Sequence, residues 1–189
     1  MVQVDTFTDV RKVLTDGGII LYPTDTIWGI GCDACNAQAV EKVFELKKRD
    51  RSKPFILLAD SVQMIQKYVR EVHPRLDTLL SLHVRPLTVI YEGAKNLPPN
   101  LIAADGSIGF RIPQDNFCKA LIKSFGKPLV ATSANISNEP FPTNFGTISS
   151  EVIQGVDFVV KTHSEAHMDS NPSVIVKISP KGELEFIRE

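Results

Sequence analysis

Apolar residues along the chain recur at two different spacings. Some segments repeat them every third or fourth position, as an amphipathic helix does, and others are short apolar runs between Gly, Pro or polar residues, as buried strands are. The two kinds of segment alternate without an internal repeat or a linker. We therefore predict an α/β fold in which residues 1–189 form a single domain, a twisted, open, mixed β-sheet with flanking helices.

Capping residues mark where several helices begin. Asn36, Ser61 and Asp115 each precede an apolar periodic segment, and side chains of these types accept hydrogen bonds from the free N–H groups of a first helical turn. Gly17 and Gly126 close two of the segments, as glycine often does. The predicted helices are 8–16, 75–83 and the three segments that follow Asn36, Ser61 and Asp115.

Short apolar runs predict the strands. Residues 180–182, Pro-Lys-Gly, separate the last two runs and are typical of a tight turn. These two runs therefore form a hairpin, and the sheet is mixed. The predicted strands are 19–22, 55–59, 87–91, 107–112, 129–132, 156–161, 173–179 and 184–187.

Composition and charge narrow the classes of function. With 21 Lys and Arg against 22 Asp and Glu, the formal net charge is −1, whereas a protein that binds nucleic acid over a broad surface is basic overall. Any polyanion site must therefore be local. No apolar run approaches the ~20 residues that span a bilayer, and the first residues lack the basic and apolar parts of a signal peptide. We expect a cytoplasmic protein.

The three cysteines predict neither a disulfide framework nor a metal centre. Cys32 and Cys35 form a C-x-x-C, but a closed zinc site needs four ligands and no second cysteine pair exists. His163 and His167 have a ligand-like spacing but lie far beyond Cys35 in the chain. We expect the cysteines to be packing residues and predict no metal site.

A polar segment, Thr24-Asp25-Thr26, follows the first predicted strand. Binding loops occupy such positions in α/β proteins, and the glycines at 29 and 31 would let a ligand approach the backbone. The alternative is a turn whose side chains satisfy its own amides. A G-x-G-x-x-A pattern also begins at Gly29, but a dinucleotide loop follows its strand directly, and here several residues intervene.

A run of cations lies at the end of the helix that follows Asn36. Cations at a helix C-terminus interact favourably with its dipole, so a solvated helix end is one interpretation. The other is a polyphosphate clamp, because arginine and lysine both bind phosphate oxygens. No G-x-x-x-x-G-K-[ST] pattern occurs, so a nucleotide would be held by such side chains and by hydroxyl-rich turns. The cations are Lys47, Lys48, Arg49, Arg51 and Lys53.

Two other segments contain candidate ligand groups. The strand 129–132 ends in Thr-Ser-Ala-Asn, which contains Ser133 and Asn135. No G-x-S-x-G pattern surrounds Ser133, so hydrogen bonding to a ligand is favoured over nucleophilic catalysis, with a capping turn as the alternative. Arg111 lies within an apolar strand, where its charge needs an anionic partner. That partner is either a structural carboxylate or a ligand carboxylate.

Four motifs occur in one order along the chain: Tyr-Pro-Thr-Asp-Thr at 22–26, Lys-x-Arg leading to Lys-Pro at 47–54, Gly-x-Arg-x-Pro at 109–113 and Thr-Ser-Ala-Asn at 132–135. Together they resemble the YrdC-type threonylcarbamoyl-AMP synthase family. The resemblance implies a YrdC-like fold with a positively lined cavity. It also implies a nucleotidyltransferase that condenses L-threonine, bicarbonate or CO2, and ATP to threonylcarbamoyl-AMP and pyrophosphate, for tRNA threonylcarbamoyladenosine modification.

The resemblance also implies roles for residues at matching positions. Phe141 stands where the family often has a serine that contacts ATP. Threonine would be held by Thr26, Arg111, the backbone at Ala131, and Ser173. The catalytic set that faces the ATP phosphates and the carbonate would be Lys47, Arg49, Ser133 and Asn135. Further ATP contacts would be Lys53, Ser107 and Arg188.

Other expectations concern partners and competing functions. Mg²⁺ would arrive with ATP, and a partner complex would transfer the threonylcarbamoyl group to tRNA, which this chain could also contact directly. The main alternative is a non-catalytic tRNA- or rRNA-binding module that uses the same basic groove; salt-sensitive RNA affinity without ATP turnover would favour it. A carbamoyl-phosphate-using domain, as in hydrogenase maturation, is a further alternative, although such domains usually belong to much longer chains.

Overall fold

The computed structural model describes residues 4–82, 85–160, 173–178 and 183–188. Its strands are β1 Ile20–Tyr22, β2 Gly29–Gly31, β3 Ile56–Leu58, β4 Leu87–Tyr91, β5 Ile108–Arg111, β6 Leu129–Ser133, β7 Phe158–Val159, β8 Val174–Ile178 and β9 Leu184–Arg188. Its helices are α1 Val4–Thr15, α2 Ala37–Lys47, α3 Val62–Ile65, α4 Pro74–Leu82, α5 Asn116–Phe125 and α6 Ser150–Gly155.

The described strands form one sheet in the order β7-β1-β2-β6-β3-β5-β4-β8-β9. Three neighbouring pairs are parallel, β1 with β7, β3 with β5 and β4 with β8, and the others are antiparallel. The predicted mixed α/β sheet is therefore confirmed. So is the hairpin of the last two strands, although residues 180–182 lie outside the described part.

The three predicted capping residues each accept hydrogen bonds from N–H groups in the first turn of a helix. Asn36 accepts from the backbone N–H groups of Gln38 and Ala39, and Ser61 and Asp115 accept from N–H groups two or three residues ahead. Helix α3 is shorter than its apolar spacing predicts. It ends at Ile65 because Val69 pairs with Ala94 and the next backbone N–H, that of Arg70, donates to Gly93, so tertiary pairing overrides the local period.

The sequence prediction missed β2 and α6. Gly29–Gly31 was interpreted as part of a loop, but it pairs with β1 on one side and β6 on the other. A Cβ on Gly31 would lie 2.7 Å from the Tyr22 ring and 2.7 Å from the Val130 carbonyl oxygen. This glycine therefore permits close packing rather than ligand approach, and the rejected dinucleotide pattern at Gly29 is a strand.

Alternating residues of the central strands separate a packed face of the sheet from an open one. Leu57, Val89, Phe110 and Val130 are fully or almost fully buried in the core. Their sequence neighbours, among them Ile56 and Gly109, contribute to a cavity on the other face. None of the described helices is long and apolar enough to cross a membrane.

Candidate functional site

A cavity of about 500 Å³ lies on the open face of the sheet. The strand register aligns its floor: Ile56 is opposite both Ala131 and Gly109, and Ile90 is opposite Gly109 from the other side. A Cβ on Gly109 would approach the Ile90 side chain to 3.2 Å, so this glycine keeps the floor deep. The lining residues are Thr24, Thr26, Ile27, Gly29, Arg49, Pro54, Phe55, Ile56, Ile90, Gly109, Arg111, Ala131, Thr132, Ser133, Phe141, Ser173, Ile175 and Arg188.

Arg111, the last residue of β5, presents a buried cation to one end of the cavity. Its Nη1 donates to Thr26 Oγ1 at 3.2 Å and lies 3.2 Å from Asp25 Oδ1. The other carboxylate oxygen of Asp25 accepts from the backbone N–H of Gln114 at 2.9 Å. One nitrogen of Arg111 is therefore paired with a structural carboxylate, and Arg111 also lines the cavity.

The turn that carries Thr26 is organised by Thr24. Thr24 Oγ1 donates to the Ile27 carbonyl at 2.8 Å and accepts from the backbone N–H groups of Thr26 and Ile27. Because the Thr24 proton is used, the Thr26 hydroxyl donates to Thr24 Oγ1 at 2.9 Å and accepts from Arg111. The turn therefore satisfies its own amides, as the turn interpretation predicts, and Thr26 also lines the cavity, so a role in ligand binding stays a prediction.

Ser173 and Arg188 close the same end of the cavity. Arg188 donates to the Ser173 carbonyl from Nε at 3.1 Å and from Nη2 at 2.7 Å, and the Ser173 hydroxyl lies 2.8 Å from the Thr88 hydroxyl. Partial burial, and then the nearby charge of Arg111, lower the pKa of Arg188. Two guanidinium groups therefore share this end and favour an anionic ligand there.

A β-bulge in β9 directs Arg188 to the cavity. Val176 pairs with Phe186, but Ile175 pairs with Arg188, so Ile187 is one extra residue in the strand. In a regular strand Ile187 would be opposite Ile175, and Arg188 would point to the other face of the sheet. Because of the bulge, Arg188 instead lies on the cavity face of the sheet, opposite Ile175. No sequence pattern signalled it.

Lys47 lies beneath the Thr-Ser-Ala-Asn turn and does not line the cavity. Its side chain is 1% exposed, and Nζ donates to the carbonyls of Ser133 and Asn135, both at 2.5 Å, and to Asn135 Oδ1 at 3.4 Å. Burial first, and then the charge of Arg49, lower the pKa of Lys47 to about 7, while the three oxygens act in the opposite direction by stabilising the ammonium form. In this arrangement Lys47 supports the turn.

Arg49 does reach the cavity. Its Nε donates to the Lys53 carbonyl at 2.8 Å, its Nη2 to the Pro54 carbonyl at 3.3 Å, and its Cζ lies 5.1 Å from the centre of the Phe55 ring. The guanidinium is therefore held in one orientation. Ser133 also lines the cavity.

The cation run divides between two environments. Lys48 pairs with Glu151 and Arg51 with Glu41 at the surface, as the solvated-helix interpretation predicts. The Lys53 side chain is exposed. Only Arg49 of the run lines the cavity, while Lys47 is buried beside it.

The cavity brings together most, but not all, of the residues singled out from the sequence. Lys53 and Ser107 do not line it, and the Asn135 amide bonds to the Ile136 and Glu139 carbonyls instead of facing it. The predicted residues that do line it are Thr26, Arg49, Arg111, Ala131, Ser133, Ser173 and Arg188. Lining residues that the sequence did not single out for a role include Gly109 and Thr132, and their positions within the motifs were the available signal. Thr24, which belongs to the predicted binding loop, also lines the cavity.

The described residues offer no cluster of three or more His, Cys, Asp or Glu side chains that could hold a metal ion. Cys32, Cys35 and Cys118 are free thiols there, and burial raises the pKa of Cys35. His163 and His167 fall outside the described residues. Among the described lining residues there is no Asp or Glu, so a divalent cation held by them would depend on ligands brought by a substrate.

Known proteins share this fold at very different chain lengths. Sua5 of P. abyssi, solved in complex with L-threonine, superposes with a TM-score of 0.84 at 20% identity, over 96% of this chain and 53% of that chain. This chain therefore spans about half the length of that Sua5. HypF of T. kodakarensis superposes with a TM-score of 0.84 at 21% identity, and this chain covers 25% of it. At these identities the superpositions establish the fold alone.

Sequence comparison gives a narrower result. Threonylcarbamoyl-AMP synthase of Pseudoalteromonas translucida (strain TAC 125) is 34% identical over 150 residues, which are 78% of this chain and 80% of that protein. A family model named Sua5/YciO/YrdC, with the description "Telomere recombination", matches residues 12–189. By the extent of that match and the shared fold, the chain belongs to the Sua5/YciO/YrdC family.

Proposed function

We propose that this chain is a threonylcarbamoyl-AMP synthase. The observation that supports it most directly is one cavity that gathers three arginines, Arg49, Arg111 and Arg188, with no carboxylate among the described residues that line it. A reaction that brings together the carboxylate of an amino acid, a bicarbonate and a polyphosphate needs such concentrated positive charge. The 34% identity to a synthase over 80% of its length points to the same reaction.

The Arg111 end of the cavity suits L-threonine. Arg111 has five N–H donors. Among the described residues its side-chain partners are Thr26 and Asp25, both at Nη1, so we propose that the rest of its planar fork receives the amino-acid carboxylate. Arg188 adds a second cation and Ser173 a hydroxyl. The Ala131 backbone completes this end of the floor.

The Arg49 end suits the phosphates of ATP. Arg49 and Ser133 line it, and Lys47 and Asn135 stabilise the turn that carries Ser133. The neutral threonine amine first forms a carbamate, either with CO2 and release of a proton or with bicarbonate and release of water. A carbamate oxygen then bonds to the α-phosphorus of ATP as the bond to the bridging oxygen breaks, and pyrophosphate leaves with that electron pair. The cations stabilise the charge that develops on the leaving group.

Magnesium enters this proposal as part of MgATP, because Mg²⁺ bound to a nucleotide takes most of its ligands from phosphates and water. A partner complex that acts on tRNA would consume the product, and direct contact of this chain with tRNA is part of the same hypothesis. We also propose that the reaction takes place in the cytoplasm, where free thiols such as Cys32 and Cys118 are stable. The predicted ATP contacts of Lys53 and Ser107 stay predictions.

Pyrophosphate release tests the activity. Purified protein would be incubated with MgATP, L-threonine and bicarbonate, with one component omitted at a time. We expect release only when all three are present. Release that does not need threonine or bicarbonate would identify a different ATP-dependent reaction.

The same preparation distinguishes the RNA-binding alternative. RNA affinity that falls steeply with salt, in a folded protein without pyrophosphate release, would favour a binding module over the synthase. Arg49→Ala and Ser133→Ala, compared with Arg51→Ala at the surface, would then show whether any release depends on the cavity.

A further inference from the structure

One aromatic ring in the cavity has no part in the reaction described above. Phe141 lines the cavity and is 40% exposed. An exposed phenylalanine loses the stabilisation that burial of its ring would bring. The other aromatic lining residue, Phe55, is buried under Arg49. Among the described lining residues, Phe141 is therefore the accessible aromatic surface that a ligand entering this cavity would meet.

A neighbouring phenylalanine shows that exposure in this segment does not by itself leave a ring free. Phe145 is 37% exposed, but its ring lies 5.1 Å from that of Trp28, against which it packs. Within the described part of the chain, Phe141 has no such aromatic neighbour. Phe141 lines the cavity, whereas the Phe145 ring belongs to the packing around Trp28.

The backbone that carries Phe141 is held in place from both sides. Pro140 and Pro142 flank it, which limits the backbone freedom of this segment, and Pro142 is buried. Upstream, the Asn135 amide donates to the Glu139 carbonyl at 2.6 Å and to the Ile136 carbonyl at 3.0 Å. Because this backbone is already held, ligand binding would cost little additional backbone conformational entropy here.

Lys47 anchors the same loop. It donates to Asn135 Oδ1 and to the carbonyls of Ser133 and Asn135, and the Lys47 carbonyl accepts from the Ser137 backbone N–H at 2.9 Å. These hydrogen bonds therefore stabilise the segment from Ser133 to Phe141 as one loop. It presents a hydroxyl to the cavity at its start and an aromatic ring at its end.

We propose that Phe141 is a stacking surface for the nucleobase of ATP, next to the phosphate-binding end formed by Arg49 and Ser133. The inference rests on the proposed function, because it assumes that ATP is the substrate. Stacking needs only a π-face and tolerates any base. Phe141 therefore adds affinity for the base without selecting adenine, and Lys47 and Asn135 act as positioning residues for the loop.

Equilibrium binding separates the base from the phosphates. Calorimetry would measure the Kd of MgATP, MgGTP and inorganic tripolyphosphate for wild type, Phe141→Ala, Phe141→Tyr and Phe186→Ala. Phe186 is an exposed phenylalanine, 57% accessible, that does not line the cavity, so it serves as the matched control. Thermal unfolding of each variant would verify that it is folded.

We expect Phe141→Ala to weaken ATP and GTP binding by about tenfold and to leave tripolyphosphate binding unchanged, with Phe141→Tyr and Phe186→Ala close to wild type. Unchanged ATP affinity in Phe141→Ala would overturn the inference, as would an equal loss for ATP and tripolyphosphate, or a loss confined to ATP. Failure of wild type to bind ATP at all would instead overturn the proposed function, and this inference with it.

Discussion

The pair between Asp25 and Arg111 offers a direct test of how the threonine end of the cavity is built. Asp25→Asn removes the negative charge but keeps a side-chain oxygen for the Gln114 backbone N–H, which Asp25 now accepts at 2.9 Å. The change therefore isolates the loss of charge beside Arg111. We expect the variant to fold, but with a lower free energy of unfolding, because the Arg111 cation has lost its carboxylate partner.

The magnitude follows from the burial of the pair. The Arg111 and Asp25 side chains are only 6% and 10% exposed, with Nη1 and Oδ1 3.2 Å apart. At an effective dielectric constant of about 20, Coulomb's law gives a gross attraction of about 5 kcal/mol. The nitrogen–oxygen contact is close enough for an ion pair, but Asp25 Oδ1 makes no hydrogen bond within the described part of the chain. In the variant, water would also solvate Arg111 in part. We therefore expect a coupling energy of about 3 kcal/mol, within the range that double-mutant cycles give for close charge pairs.

A double-mutant cycle measures that coupling. Urea unfolding of wild type, Asp25→Asn, Arg111→Met and the double variant yields four free energies, from which the interaction between the two side chains is isolated. The control is the same cycle on Lys48 and Glu151, whose charged atoms are closer, at 2.7 Å, but whose side chains are 64% and 53% exposed. Because solvent screens exposed charges, the control pair should show little coupling despite its shorter distance.

A coupling between Asp25 and Arg111 no larger than that of the exposed pair would refute this reasoning. It would mean that burial does not strengthen the contact, and that Asp25 does not hold Arg111 in position. A functional measurement accompanies the cycle. Since Asp25→Asn leaves Arg111 without its carboxylate, L-threonine should raise the melting temperature of this variant more than that of wild type.

Three other predictions test separate parts of the site. Burial and Arg49 lower the pKa of Lys47 to about 7, below its ordinary 10.5. Between about pH 7 and 10.5 the unfolded chain therefore binds more protons than the folded one. The free energy of unfolding of wild type, relative to that of Lys47→Met, should then rise with pH across that window. Parallel pH profiles of urea unfolding would contradict this. Arg111→Lys should raise the KM for threonine by about tenfold or more, with little change in the KM for ATP, because lysine lacks the planar fork; equal changes in steady-state kinetics would remove Arg111 from carboxylate binding. Gly109→Val should fill the cavity floor beside Ile90 and lower kcat/KM by about tenfold or more while circular dichroism stays unchanged, and full activity would show that the floor does not contact substrates.

The sequence determined the class of fold and the positions of the chemical groups. Apolar spacing and the caps Asn36, Ser61 and Asp115 depend on neighbours within a few residues, so local pattern was enough to locate most helices and strands. The motifs around Thr26, Arg111 and Ser133 could likewise be located without coordinates, because ligand groups follow strand ends in α/β proteins.

Only the tertiary structure decided which of these groups face the cavity. Lys47 and Arg49 are two residues apart, yet one is buried beneath a turn and the other lines the cavity. Arg188 reaches the cavity because of a bulge at Ile187, and Asp25 pairs with an arginine far along the chain. Each outcome depends on strand register and on contacts between distant segments. The burial and charge pairing that stabilise these positions arise only once the sheet has formed, so a local sequence pattern does not predict them.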